Sequence, residues 1–96
     1  MKNQKELIAE FEANIEVIKF KYENLFKNSN ESLEFFLQKN YQSIRSEFAK
    51  ISTDVLHLSI HNDISDQEFS NQILTIHFEN VYKLFNELEK LEESRK

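Results

Sequence analysis

The sequence predicts an all-α fold, an up-down-up antiparallel three-helix bundle with coiled-coil-like heptad packing. Three observations lead there. The 96 residues include no glycine and no proline, against typical usage of about 7% and 5%. Sheet proteins and nucleotide-binding loops draw on both residues for turns, so their absence favours long helices with few connections. Apolar residues also recur at spacings of three and four through three long segments, the period of one helix face. Finally, only two short polar breaks separate these segments.

The first helix is expected near 3–27. Its stripe reads Ile8, Phe11, Ile15, Ile18, Tyr22 and Leu25. The break KNSNES, residues 27–32, follows. Asn28 or Asn30 can take the left-handed conformation that glycine normally supplies after a helix. Ser29, Asn30 or Ser32 can cap the next helix.

The second helix is expected near 32–61, with a stripe of Leu37, Tyr41, Ile44, Phe48, Ile51, Val55 and Leu58. Its weak point is Ser52-Thr53-Asp54, three cap-type residues that would kink the helix or divide it in two. Asn62 or Asp63 can end it.

The third helix is expected near 66–94, with Leu74, His77, Val81, Leu84, Leu88 and Leu91 on its stripe. ISDQEF, residues 64–69, reads as a start signal. Ser65 is the expected N-cap, Glu68 closes a capping box, and Ile64 and Phe69 form a hydrophobic staple. Asp66 and Glu68 suit the positive end of the helix dipole. Connections this short force antiparallel neighbours. At 1.5 Å per residue the bundle should be roughly 40 Å long. A sustained 3/4 alternation implies gentle left-handed supercoiling. Residues 1–96 then form a single domain.

Composition narrows function. The chain has no cysteine, which excludes disulfides and thiolate metal sites. No apolar run approaches the roughly 18 residues that cross a bilayer. MKNQKELIAEFE carries acidic residues where a signal peptide has its apolar core. The expected location is cytoplasmic. The Asn, Lys, Ile and Phe bias suggests an AT-rich bacterial or phage genome. Net charge is −5, and residues 63–96 carry eight of the 17 acidic groups. Such a surface repels nucleic acid and anionic lipid and suits a basic protein partner.

The stretch TDVLHLSIHNDIS, residues 53–65, raises the question of chemistry. His57 and His61 share a helix face and, with Asp54, resemble a metal half-site. By 100° per residue, however, both point away from the core stripe, whereas His77 lies on it. His57 and His77 should differ in level by about 9 Å, too far to share one ion. Histidine phosphotransfer domains carry Lys-Gly shortly after the reactive histidine, which HLSIHND lacks. Arg45 and His57 are too far apart for the paired Arg/His of HEPN-type nucleases. No serine or threonine has a glycine elbow or a recognisable base. No cofactor, metal or catalytic residue is expected, and HLSIHND reads as a solvated helix end.

Several large apolar residues miss the stripes. Phe20 lies about 170° from the first stripe, with Val17 beside it. Phe35 lies opposite the second, on the back face shared by Ala49, Leu56 and Ile60. Tyr82 sits to one side of the third, next to Phe78 and Phe85. A broad core would absorb them; otherwise they form contact surfaces. The function expected is a non-enzymatic protein-binding module, a small acidic inhibitor, antagonist or immunity- or antitoxin-type protein docking on a larger, basic protein. Its expected contact residues are Val17, Phe20, Phe35 and Tyr82, with Glu87, Glu89, Glu92 and Glu93 at the same end of the bundle. The alternative is an assembly coiled coil whose partner is itself, as a homodimer.

Overall fold

A computed structural model describes residues 2–64 and 66–95. It contains α1 (Gln4–Lys27), α2 (Leu33–His61) and α3 (Gln67–Glu93). Each helix packs against the other two, in an antiparallel bundle measuring 50 × 20 × 19 Å. The order and the boundaries follow the sequence expectation closely.

The core faces of the helices are broader than a strict 3/4 stripe. On α1 the buried side chains are Leu7, Phe11, Ile15, Ile18, Tyr22 and Phe26, a 4-4-3-4-4 spacing. Ile8 is only partly buried and Leu25 is largely exposed. On α2, Phe36 and Ser59 are buried, while Tyr41 and Leu58 are largely exposed. On α3, Ile73 is buried and Leu74 is not. The expected stripe is thus one position off at several helix ends. Each helix faces two neighbours, and a straight α-helix drifts about 20° per heptad from a 3.5-residue repeat. The seam therefore rotates toward the adjacent position away from the helix middle.

The helix ends show how polar chemistry sets the length. Asn3 caps α1, its side chain accepting from the Glu6 N–H at 2.9 Å. Ser32 caps α2 by accepting from the Phe35 N–H at 3.2 Å. The expected left-handed residue at Asn28 or Asn30 is not present. Asn28 has φ −89°, and Asp63 is the one described residue with positive φ, at 57°. The α1 end has no need of that reversal, because the Arg95 guanidinium donates to the Phe26 carbonyl and, at 3.0 Å, to that of Glu31. The same guanidinium lies 4.0 Å from the Phe26 ring centroid. A cation suits the negative end of the α1 dipole.

At the α2 end Asp63 allows a reversed turn. The Ile64 N–H donates to the Ser59 carbonyl at 2.7 Å and the Asp63 N–H to that of Ile60 at 3.1 Å, the two bonds of a Schellman motif. The α3 start needs a correction. Ser65, the expected cap, lies outside the described residues. The N-cap is Asp66, whose carboxylate accepts from the Phe69 N–H at 2.6 Å. That moves the third helical position to Phe69, so Glu68 closes no capping box. An ionised carboxylate makes a stronger charge-assisted bond to a free N–H than a hydroxyl does. Ile64 and Phe69 both pack into the core. Asp66→Ala is expected to cost about 1 kcal/mol, read as a lower thermal midpoint by circular dichroism.

The α2 helix runs unbroken through Ser52-Thr53-Asp54. Thr53 and Asp54 are exposed. Ser52 is buried, and its hydroxyl bonds to α3 rather than competing with its own backbone.

Candidate protein-docking surfaces

The polar contacts inside the bundle separate groups that serve the fold from groups left open to solvent. Ser52 is 5% exposed, and its Oγ lies 2.6 Å from His77 Nδ1. Phe48 and Phe78 meet the imidazole edge-on, with centroids at 5.8 and 4.9 Å. Burial pushes the His77 pKa below its ordinary value, since desolvation penalises the charged imidazolium. His77 is therefore the half-buried core histidine its stripe position implies, now with a hydrogen-bonding partner.

On the α1/α2 side, the Tyr22 hydroxyl donates to the Glu47 carboxylate, and Lys21 pairs with it at 2.9 Å. Burial and the neighbouring carboxylate both push the Tyr22 pKa up. For Glu47, burial works against the charge. The hydrogen bonds from Tyr22 and Lys21, with the Lys21 charge, outweigh it and hold the carboxyl below its usual range.

His57 and His61 are exposed, as their helical angles imply. No group of three or more potential metal ligands occurs among the described residues.

The expected contact residues fall into separate places. Val17 and Phe20 are 67% and 70% exposed and lie one turn apart on the outer face of α1. With Glu16 and Glu23 they line a shallow cleft of about 390 Å³. Phe35, 51% exposed, sits in the first turn of α2. Its neighbour is a cation, Lys39, whose Nζ is 5.4 Å from the ring centroid. Glu87, Glu89 and Glu93 are exposed, and Glu87 pairs with Lys90 at 3.4 Å. Glu92 serves the fold: it accepts from the Leu33 N–H at 2.6 Å and so caps the positive end of α2. Phe20 is thus an exposed aromatic flanked by carboxylates, but by Glu16, which pairs with Lys19 at 3.2 Å, and Glu23 rather than by the α3 glutamates. Sequence spacing could have found them, since both lie within one turn of Phe20.

A larger concavity lies elsewhere, between α2 and α3. It is a groove of about 730 Å³ with His77 in its lining. Tyr41 and Phe85 stack across it with centroids 6.2 Å apart, and Arg45 lies over the Tyr41 ring at 5.6 Å. Phe78 forms part of its α3 wall. By spacing Tyr41 and Val81 belong to the core stripes, and their half-open position is what sequence periodicity alone misses.

No described helix is long and apolar enough to cross a membrane. No family model, curated protein or solved structure matches this chain.

Proposed function

We propose that the chain is a non-enzymatic protein-binding module, a small acidic inhibitor or antagonist of the immunity or antitoxin kind, docking on a larger protein with a basic surface. The observation that carries this reading is the outer face of α1. Phe20 and Val17 stand open to solvent on a rigid helix, between Glu16 and Glu23. Their opposite face, through Ile15, Ile18 and Tyr22, anchors α1 in the core. A rigid aromatic supplies contact area at little entropic cost, and flanking carboxylates steer a basic partner and choose among partners. A cytoplasmic bacterial or phage setting, with no cofactor and no direct contact with nucleic acid, belongs to the same reading.

The test is photo-crosslinking from position 17 in an extract of the native host. The reading expects one dominant adduct with a basic protein. Phe20→Ala should cut its yield about tenfold, the loss that removing an anchor residue brings. Reversing Glu16 and Glu23 to lysine should slow association, most visibly at low salt. An adduct indifferent to all three changes would sink the proposal, as would the absence of any adduct.

A further inference from the structure

We infer that the α2/α3 face docks a second copy of this chain, in a two-fold dimer whose axis runs parallel to the helices. The face has two unlike walls. On α3, Phe78 and Tyr82 stand 65% and 73% exposed and form a ridge. On α2, the residues along the outer side of the groove are Gln42, Ser46 and Ala49, which leave a trough.

A ridge beside a trough is self-complementary under one operation. The α2 and α3 helices are antiparallel. Rotation about an axis parallel to them lays α3 of one copy over α2 of the other without changing level. The pairs Tyr41–Phe85 and Ser52–His77 set those levels. By them, Phe78 of the second copy falls opposite Ala49, where a small side chain leaves room. Tyr82 of the second copy falls opposite Arg45, whose guanidinium then has an aromatic face to lie against.

Area and charge agree with this occupant. Tyr41 on α2 and Leu74, Phe78 and Tyr82 along one side of α3 are all exposed. At about 200 Å² per large side chain, somewhat over half of it open, they offer roughly 450 Å² of apolar surface. With its polar rim the face approaches the ~800 Å² per partner of a standard interface. Two chains of net charge −5 repel, and they repel least where no carboxylate lines the contact. Arg45 is the one charged residue lining this groove. An isologous interface of this kind closes at two copies and leaves the outer face of α1 open on each.

Sedimentation equilibrium tests this at about 100 µM chain, a concentration where a standard-size interface should be occupied. The expected mass is twice the 11.5 kDa of one chain. Ala49→Glu fills the trough with a charge at an exposed helical position. It should weaken dimerisation more than tenfold while the helical signal and the melt stay those of a folded bundle. Phe78→Ala removes the ridge and should do the same, whereas Phe20→Ala should leave the mass unchanged. A parent chain that is monomeric at this concentration overturns the inference. So does a dimer that survives both Ala49→Glu and Phe78→Ala, or one that Phe20→Ala disperses.

Discussion

Phe26→Ala is expected to cost about 3–5 kcal/mol, while Leu25→Ala, its neighbour on the same turn, costs less than about 1 kcal/mol. Phe26 is fully buried. Its ring meets Phe36 with centroids 5.0 Å apart, and its other neighbour is the Arg95 guanidinium. One side chain thus joins the end of α1, the start of α2 and the end of α3. Truncation leaves a cavity that three backbones would have to move to close. It also removes the aromatic face on which Arg95 rests, and Arg95 caps the last turn of α1. Leu25 is about half open to solvent. Urea unfolding of the two variants gives both costs directly. Equal costs, or a larger one for Leu25, would contradict the core described above.

The second large effect is at the Ser52–His77 pair. His77→Leu leaves the buried Ser52 hydroxyl without its interhelical partner, at a cost of about 1–3 kcal/mol. Ser52→Ala strips the partner from His77 Nδ1 at a similar cost. The double variant should be less destabilised than the two losses added together, because both polar groups then leave the interior together. A coupling below about 0.5 kcal/mol would show that the pair does not hold α2 to α3.

The same pair has a pH signature. Burial holds His77 below its ordinary pKa of 6.5. As pH falls past that value the unfolded chain binds a proton that the folded chain still refuses. The His77 contribution is therefore fully present above about pH 6.5 and drains away below it, until pH reaches the lower folded pKa. The parent should lose stability as pH falls below about 6.5, and His77→Leu should flatten that slope.

Helix number, order and ends were legible because they rest on local chemistry. The polar breaks at 27–32 and 62–66 contain the residues that cap helices, and Asn62, Asp63 and Ser32 perform those tasks. What sequence spacing resolves poorly is rotation about each helix axis. Leu7 against Ile8, Phe26 against Leu25 and Ile73 against Leu74 are adjacent apolar pairs, and either member satisfies the periodicity. The choice is made by where two neighbouring helices lie, which is tertiary information. Ser52 carries the same lesson for polar residues. It was a helix breaker in isolation and became an interhelical bond once His77 stood opposite.

For the surfaces, legibility was partial. The off-stripe positions of Val17, Phe20, Phe35 and Tyr82 followed from helical angle alone, and all four are exposed. Their grouping did not follow. Glu92 shares the acidic end of α3 with Glu89 and Glu93, but it is held by the backbone of α2. Tyr82 stands beside a groove whose other wall comes from a different helix. Both assignments depend on the register between α2 and α3, which spacing along one chain segment does not encode.

The central claim is that α1 has one face for the fold and another for a partner. The most direct measurement is the thermal melt of Phe20→Ala beside that of Phe26→Ala. The substitution, the side chain and the helix are the same, and the two residues lie six positions apart. The account predicts a Phe20→Ala melt within about 1 kcal/mol of the parent, as for a surface position, and a collapsed Phe26→Ala melt. A Phe20→Ala variant that loses about 3 kcal/mol or more would place Phe20 in the core and remove the docking face on which the proposed function rests.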